Sequence, residues 1–357
     1  MLNPKNLQNI ADPTRVLFIV GPTASGKTAI SLQIAKMFPS EIISADSRQI
    51  YNYMDIGTAK EAPRPSTPGQ HIASHSAPSQ HAATPIQNSD ETQKNLEPYK
   101  IQDVNHYLLD IVNPGTRYTL FDFQTDAKQI ISKIQQSGKK AIVCGGTGLY
   151  VDCLINNYQV DSNQTEDLSI KSSLEKEYTK LTKKVGEEQA KQEFYKKLQE
   201  LDSNRAKDFH PHNIYSIIRE IEFLLTNQDS KSSLAKTSKP DFEYDILLLW
   251  PDRKWLYDRI NTRIDMQLEQ GLEKETQFLI NKFPEAKTAL SSIGYKQISE
   301  YLKNPERKFE QIEEFKKLTR NYAKRQYTWF RRYKDKALII ESPQDFISEI
   351  NQYEQEN

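Results

Sequence analysis

Short apolar runs recur along the chain, and each run is about as long as one β-strand. The runs cover residues 16–20, 41–45, 104–111, 141–144 and 245–250. The first run leads through a glycine-containing segment into residues 29–38, where apolar side chains indicate an amphipathic helix. Uninterrupted apolar strands that alternate with helices are typical of a parallel sheet flanked by helices. The pattern therefore predicts an α/β fold.

A long stretch without strand-like runs separates the last two predicted strands. Residues 161–227 mix charged and apolar side chains with helical periodicity. Because an apolar strand returns at 245–250, we expect the helical stretch to be inserted between parts of one sheet. The prediction is a core domain formed by residues 1–157 and 243–357, with an all-helical insertion domain at 158–242.

A second insertion differs in composition. Residues 62–97 are rich in Pro, Ser, Thr, Gln and His and contain few apolar residues. Such a segment cannot bury enough apolar surface to offset the entropy of ordering, so we predict a disordered surface insertion. Its histidines, His71, His75 and His81, have no carboxylate or thiol beside them, and the pattern does not favour a metal site.

The first strand runs directly into a glycine-rich octapeptide. Its residues are Gly21, Pro22, Thr23, Ala24, Ser25, Gly26, Lys27 and Thr28. This is the phosphate-binding pattern G-x-x-x-x-G-K-[ST], placed between a strand and a helix as that motif requires. The glycines permit a turn that aims backbone N–H groups at a phosphate, the helix N-terminus and Lys27 add positive charge, and Thr28 is placed to bind Mg²⁺. We therefore predict a P-loop NTPase-like sheet, the alternative being a glycine turn without a ligand.

The residues that usually accompany this loop in ATP-hydrolysing enzymes are missing or changed. The strand at 141–144 leads into Gly145-Gly146-Thr147-Gly148 and not into an acidic residue, and no Asn-Lys-x-Asp guanine motif occurs. The carboxylate at a strand end is Asp46. Because strand carboxyl ends line the ligand crevice of such sheets, Asp46 and Thr147 are expected to face the bound compound. From the residues alone, Asp46 is a catalytic group, a second Mg²⁺ ligand or a helix cap, and the glycine segment is a ligand loop or a simple turn.

The charges of the chain balance, with 48 basic and 48 acidic residues. A nucleic-acid partner would therefore meet a local basic surface, and residues 316–336 provide one, with Asp335 as the single acid. The two cysteines, Cys144 and Cys153, give neither a disulfide framework nor a zinc site. No signal-like or membrane-spanning run is found, so we expect a cytoplasmic protein without membrane association.

Taken together, the motifs resemble the bacterial tRNA dimethylallyltransferase family, whose members are also called tRNA isopentenyltransferases. The matching segments occur in the family's order across nearly the whole chain, at 21–28, 44–51, 54–60, 145–150, 293–296 and 322–331. The phosphate-binding loop is shared by many nucleotide enzymes. The segments Asp-Ile-Gly-Thr-Ala-Lys at 55–60 and Lys-Arg-Gln-Tyr-Thr-Trp-Phe-Arg at 324–331 are far more specific.

This resemblance implies that the loop holds dimethylallyl diphosphate in place of ATP. The dimethylallyl group would move to the exocyclic N6 amine of adenosine-37, just 3′ of the tRNA anticodon, giving N6-isopentenyladenosine and diphosphate. Lys27, Arg263 and Mg²⁺ on Thr28 would offset the charge that grows on the leaving diphosphate. Thr23 would donate to the bridging oxygen, and Asp46 would act as general base on the amine.

The resemblance also implies an extended surface for the anticodon stem-loop, because a stacked base must be extruded before it reacts. The helical insertion domain would grip the tRNA, and the chain would act as a monomer. The residues implied in tRNA contact are Asp46, Ser47, Arg48, Gln49, Thr147, Arg219 and Lys296. The concentration of charge in the basic surface adds Lys324, Arg325 and Arg331, the alternative being a solvated helix face. Ser216 and Ser291 stand where the family usually has arginine, which alters the expected contacts.

Three alternatives remain at this point. A P-loop kinase for small molecules or nucleotides shares the loop and Mg²⁺, but the chain has no arginine-rich lid near the loop. An isopentenyltransferase for free adenine nucleotides shares the donor chemistry, yet it needs neither a helical insertion nor a basic carboxyl-terminal helix. An RNA-binding protein with an inactive loop would not need Lys27, Thr28 and Asp46 together.

Overall fold

A computed structural model describes residues 4–61, 94–158, 168–207, 209–226 and 239–356. The chain divides into a core unit, Met1–Asn157 with Lys239–Asn357, and a helical unit, Tyr158–Ser238. Residues 239–242, which the prediction assigns to the helical insertion, therefore belong to the core unit. There the carboxylate of Asp241 lies 2.7 Å from Lys128 Nζ.

One seven-stranded sheet organises the core unit. Its strands are β1 (Val16–Val20), β2 (Ser40–Ser44), β3 (Tyr99–Ile101), β4 (Val104–Tyr107), β5 (Lys140–Gly145), β6 (Tyr244–Leu249) and β7 (Leu338–Ile340). They lie in the order β3-β4-β2-β5-β1-β6-β7, and each neighbouring pair is parallel except β3 with β4. The parallel α/β architecture predicted from the sequence is confirmed.

The register of three adjacent strands decides where the loops begin. All five residues of β1 and of β2 are buried, so both faces of the sheet are covered here. Val20 of β1 pairs with Gly145 of β5, and Ser44 of β2 pairs with Cys144 of the same strand. The segments that follow β1, β2 and β5 therefore start side by side at one edge of the sheet.

The predicted strand at 104–111 is shorter than expected. It ends at Tyr107, and the next residues leave the extended conformation, since Leu108 and Asp110 have φ angles of 59° and 51°. A short antiparallel strand, β3, precedes it. Gln102 and Asp103, with φ angles of 49° and 66°, form the two-residue turn between them.

The low-complexity insertion predicted at 62–97 lies mostly outside the described residues. Its last four residues are described and contact the core. Lys94 Nζ lies 2.8 Å from Asp122 Oδ1 and 3.4 Å from Asp126 Oδ2, and Asn95 donates its backbone N–H to Ile111 O at 3.1 Å. Lys94 and Asn95 therefore belong to the core and not to a disordered insertion.

Helices account for most of the remaining described residues. They are α1 (Pro4–Ala11), α2 (Lys27–Met37), α3 (Leu120–Gln136), α4 (Gly148–Ile155), α5 (Leu168–Val185), α6 (Glu187–Leu201), α7 (Ser203–Ala206), α8 (Ile214–Thr226), α9 (Arg253–Glu269), α10 (Leu272–Lys282), α11 (Lys287–Leu290), α12 (Tyr295–Lys303), α13 (Lys308–Phe330) and α14 (Pro343–Glu356). Of these, α5 to α8 form the helical unit around a buried cluster that includes Leu174, Phe194 and Ile217. None of the described helices is both long and apolar enough to cross a membrane.

A buried carboxylate fixes the loop that carries the 55–60 segment. Glu275 of α10 accepts hydrogen bonds from the backbone N–H groups of Asp55, Ile56 and Gly57 at 3.1, 2.8 and 3.0 Å. It also accepts one from the Tyr295 hydroxyl at 2.7 Å. Gly57 is required because a Cβ there would lie 2.5 Å from the Tyr295 ring. One carboxylate thus joins two of the family-like segments, 54–60 and 293–296.

The far end of the same loop is held by a buried lysine. Lys60 Nζ donates to Tyr51 O at 2.7 Å and to Asp55 Oδ1 at 2.9 Å, and it also contacts Asp110. These groups replace the water that the ammonium loses on burial. The loop is therefore fixed from both ends by groups that only a folded core brings together.

Replacement of Glu275 by alanine should destabilise the core strongly. The change leaves three backbone N–H groups and one hydroxyl without their acceptor, and we expect a loss of about 3 kcal/mol or more in the free energy of unfolding. Urea unfolding monitored by circular dichroism measures it. Glu273→Ala, in the same helix as Glu275, is the matched control. It removes a more exposed ion pair with Lys308 of α13 and should cost at most about 1 kcal/mol. Equal losses for both variants would contradict this role of Glu275.

Candidate active site

The phosphate-binding loop connects β1 to α2 with an unusual backbone. Gly26 has a φ angle of 95° and precedes the first helical residue, Lys27, while Ala24 has a φ angle of 62°. A Cβ on Gly21 would lie 2.6 Å from the backbone oxygen of Leu249, so only glycine allows this close approach to β6. The N-terminus of α2 therefore opens directly onto the loop, where it favours an anion.

Two desolvated cations border the loop. Lys27 donates from Nζ to the carbonyl oxygens of Gly21 at 3.1 Å and of Pro22 at 2.7 Å. Burial lowers the pKa of Lys27 to about 8, although nearby Asp46 opposes the shift. Burial likewise lowers the pKa of Arg263 to about 10. Loss of hydration disfavours both charged forms, so an anion in the cleft would stabilise both side chains.

Helix α9 brings its arginines to the loop from the other side. Arg263 Nη2 donates to Thr23 Oγ1 at 2.7 Å, while Arg263 Nε is buried without a hydrogen-bond partner in the structure. One turn earlier, Arg259 donates from Nε to the carbonyl oxygen of Ala24 at 3.1 Å. A buried guanidinium N–H without an acceptor is costly. The burial of this guanidinium therefore disfavours its charged form, and negative charge in the adjoining cleft would favour it.

The carboxylate predicted at the end of β2 reaches the same cleft. Asp46 lines the cleft together with the phosphate-binding loop. Its Oδ1 accepts the backbone N–H of Arg48 at 2.8 Å, which fixes the orientation of the carboxylate. The alternative of a helix cap is wrong, because residues 47–50 form a turn and not a helix. Asp46 closes this turn, and its side chain remains available to a ligand in the cleft.

The glycine segment after β5 is a closely packed loop. A Cβ on Gly145 would lie 2.2 Å from Ala45 O, and one on Gly148 would lie 2.3 Å from the Trp329 ring. Thr147 accepts the backbone N–H of Ser47 on its Oγ1 at 3.0 Å. The segment therefore ties the end of β5 to the residues that follow Asp46, so it does more than reverse the chain.

These elements surround a cleft of about 530 Å³. Its volume suits a small phosphorylated ligand together with part of a second substrate. The predicted residues that line it are Thr23, Ala24, Ser25, Gly26, Lys27, Thr28, Asp46, Gln49 and Arg263. Trp255 and Met266 of α9 add apolar surface to the same wall.

Other predicted site residues lie beside or outside the cleft. Gly21 and Pro22 lie beneath Lys27, whose ammonium they bind. Arg48 donates from Nη1 to Thr288 O at 3.0 Å. The predicted cations that are exposed on helices of the core unit or directly after them are Lys296, Lys324, Arg325 and Arg331. Arg219 is exposed on α8 of the helical unit.

Sequence reasoning missed several residues that shape the site. Arg259 precedes Arg263 by four positions, so helical spacing alone could have placed both on one face of α9. Gln326 contacts the backbone of both Thr23 and Gly146. Only the position of Gln326 inside the family-specific segment 324–331 marks it in the sequence, and that position does not indicate which residues it contacts.

The residues of the cleft fit a Mg²⁺ ion whose coordination comes mostly from the phosphate oxygens of a bound substrate. Thr28 lines the cleft. Among the described residues, no group of three or more His, Cys, Asp or Glu side chains could hold a metal ion. Mg²⁺ is usually bound through one or two protein oxygens together with phosphate oxygens and water. A threonine hydroxyl beside a phosphate cradle meets that requirement.

Comparison with known proteins identifies the family. The family model for IPP transferase matches residues 91–333, and that for isopentenyl transferase matches residues 14–67. The chain belongs to the IPP transferase family. A tRNA dimethylallyltransferase of Bacillus cytotoxicus is 33% identical over 341 residues, which cover 95% of this chain and 94% of the relative. One from Acetivibrio thermocellus is 35% identical over 346 residues, which cover 95% and 96%.

Solved structures of IPP transferases share the fold. The full-length tRNA isopentenylpyrophosphate transferase of Bacillus halodurans superposes with a TM-score of 0.59 at 29% identity, covering 95% of each chain. A eukaryotic dimethylallyltransferase acting on tRNA gives a TM-score of 0.62 at 25% identity, covering 92% of this chain and 74% of the other. The predicted family, fold class and enzyme class are confirmed, whereas the roles of individual site residues stay predictions.

The affinity of this IPP transferase for dimethylallyl diphosphate should fall as pH rises above 8. Lys27 in the free cleft has a pKa of about 8, and a bound diphosphate stabilises only its protonated form. Linkage then weakens binding by up to about tenfold per pH unit above that value. Calorimetry between pH 7 and 9.5 tests this, with the Lys27→Met variant as the reference for ionisation of the ligand itself. A ratio of the two Kd values, variant to unchanged chain, that stays constant from pH 7 to 9.5 would contradict the lowered pKa of Lys27.

Proposed function

We propose that this IPP transferase moves the dimethylallyl group of dimethylallyl diphosphate to the N6 amine of adenosine-37 in a tRNA anticodon loop. The products are N6-isopentenyladenosine and diphosphate. The observation that carries the proposal is one cleft that holds the phosphate-binding loop, Arg263 and the carboxylate of Asp46. Relatives that span the same length are named tRNA dimethylallyltransferases, which supports tRNA as the acceptor.

The cationic side of the cleft suits the leaving group. In the reaction a bond forms between N6 and C1 of the dimethylallyl group, while the bond from C1 to the diphosphate oxygen breaks. Negative charge grows on diphosphate, and Lys27, the loop amides and the guanidinium of Arg263, which all line the cleft, would offset it. Thr23, held by Arg263, would donate to the bridging oxygen. Mg²⁺ held by Thr28 and the diphosphate oxygens would neutralise further charge when bound.

Asp46 and the residues next to it suit the acceptor. An adenine amine is a weak nucleophile because its lone pair is delocalised into the ring, so alignment and removal of its proton matter. Asp46, oriented by the backbone N–H of Arg48, would accept that proton. Thr147 and Ser47, which are hydrogen-bonded to each other, would border the extruded base. Gln49 already bonds to Ser44 Oγ and Thr58 O, so any role at the base edge requires it to exchange these partners.

Contact with tRNA would extend beyond the cleft. Lys324 and Arg325 are exposed on α13, Arg331 is exposed at the start of the 3-10 helix that follows it, and Lys296 is exposed on α12. In a chain without net charge, this concentration of exposed cations suits phosphate contacts. Arg219 of the helical unit would add to the grip on the stem-loop. The monomeric state and the cytoplasmic location stay predictions.

The purified chain should form N6-isopentenyladenosine when it is incubated with Mg²⁺, dimethylallyl diphosphate and unmodified tRNA. Mass spectrometry of the nucleosides after digestion detects the product and its position. Labelled ATP should transfer nothing, and free AMP should react far more slowly than tRNA. Phosphate incorporation from ATP would support a kinase, and equal rates with AMP would support an enzyme for free nucleotides.

Substitution of Asp46 should affect catalysis far more than binding. Asp46→Asn keeps the size of the side chain but removes the base, so kcat should fall by about 10²- to 10⁴-fold while the Kd for tRNA changes little. Single-turnover rates and filter binding separate the two quantities. Glu269→Gln, on an exposed acid at the end of α9, is the control and should leave both unchanged. Parallel losses in kcat and tRNA affinity for Asp46→Asn would contradict its role as base.

A further inference from the structure

The side chain of Gln326 bridges two loops of the active site. Its Oε1 accepts the backbone N–H of Thr23 at 2.8 Å, and its Nε2 donates to the backbone oxygen of Gly146 at 2.8 Å. Gln326 is 5% exposed and is not among the residues that line the cleft. It therefore contacts the phosphate-binding loop and the glycine loop from behind, without reaching a ligand in the cleft.

The contact is specific for a carboxamide. One partner is a donor and the other an acceptor, and only a group with both functions satisfies them at once. The backbone lies very close to the same carboxamide, since a Cβ on Gly146 would lie 2.4 Å from Gln326 Nε2. Both backbone groups would be left without partners if the carboxamide were removed, at a cost typical of buried polar groups.

Thr23 connects Gln326 to the cationic residues that line the cleft. The same residue whose N–H binds Gln326 accepts a hydrogen bond from Arg263 on its Oγ1 at 2.7 Å. The next residue, Ala24, has a φ angle of 62°, and its carbonyl oxygen accepts from Arg259. The loop conformation here is thus fixed by side chains from α13 on one side and α9 on the other.

We propose that Gln326 is a positioning residue that acts through Thr23. It fixes the peptide group of Thr23, so that the Thr23 hydroxyl and Arg263 meet the diphosphate in the geometry that transfer requires. A displacement of about 1 Å at such a group can cost about 10²-fold in rate. The inference rests on the proposed function for its catalytic meaning, while the predicted effect on diphosphate binding does not depend on transfer to tRNA.

A double-mutant cycle of Gln326→Met with Thr23→Ala tests the coupling. The first readout is the Kd of inorganic diphosphate with Mg²⁺ by calorimetry, and the second is kcat for transfer. Each single variant should weaken diphosphate binding about tenfold, and Gln326→Met should add less than about threefold once Thr23 is alanine. Gln311→Met, a buried glutamine of the same helix, is the control and should leave both readouts near the values of the unchanged chain.

Gln326→Glu supplies a second test with a different readout. A protonated carboxyl can accept from Thr23 and donate to Gly146 as the carboxamide does, whereas the carboxylate cannot donate. The Kd of diphosphate relative to the unchanged chain should therefore recover as pH falls from 8 to 6. A side chain that only stabilises the fold would lower the melting temperature without this recovery.

The outcomes separate the two claims. Equal factors for Gln326→Met in both Thr23 backgrounds, or a constant defect of Gln326→Glu across pH, would overturn the inference. If Gln326→Met does not fold, the pH recovery of Gln326→Glu decides alone. Failure of the unchanged chain to modify tRNA would overturn the proposed function, and the diphosphate cycle would still decide the role of Gln326.

Discussion

The pairing of three adjacent parallel strands determines where the residues of the active site lie. Because β2, β5 and β1 are adjacent and in register, the residues after Ser44, Gly145 and Val20 begin at one edge of the sheet. Only glycine at 145 lets the glycine loop approach the end of β2 so closely. A carboxylate and a phosphate cradle are therefore brought to one cleft by backbone packing that involves no ligand.

The second determinant is the burial of two cations beside that cleft. Burial lowers the pKa values of Lys27 and Arg263, and among the described residues Arg263 Nε has no hydrogen-bond partner. Asp46 is the acid that opposes both shifts. A bound diphosphate would favour the charged forms of both side chains, which links the buried cations to the leaving group of the proposed reaction.

Local patterns predicted local features well, and long-range contacts poorly. The apolar strand before Gly21 and the loop up to Thr28 were readable because their signal is contiguous in sequence. The bond between Gln326 and Thr23 joins residues 303 positions apart, and that between Glu275 and Ile56 joins residues 219 apart, so neither partner reveals the other. Arg263 was found through family resemblance alone. The strand at 104–111 was overextended because apolar composition does not report the positive φ angle of Leu108.

In the proposed reaction, one cleft presents an isoprenoid diphosphate to an extruded adenine. A crystal structure with an unreactive thio-analogue of dimethylallyl diphosphate and an anticodon stem-loop would locate both substrates. We expect the diphosphate on residues 21–28 with Arg263 as a ligand, and the N6 amine within hydrogen-bond distance of Asp46. A diphosphate bound elsewhere, or Asp46 turned away from every nucleobase, would contradict it.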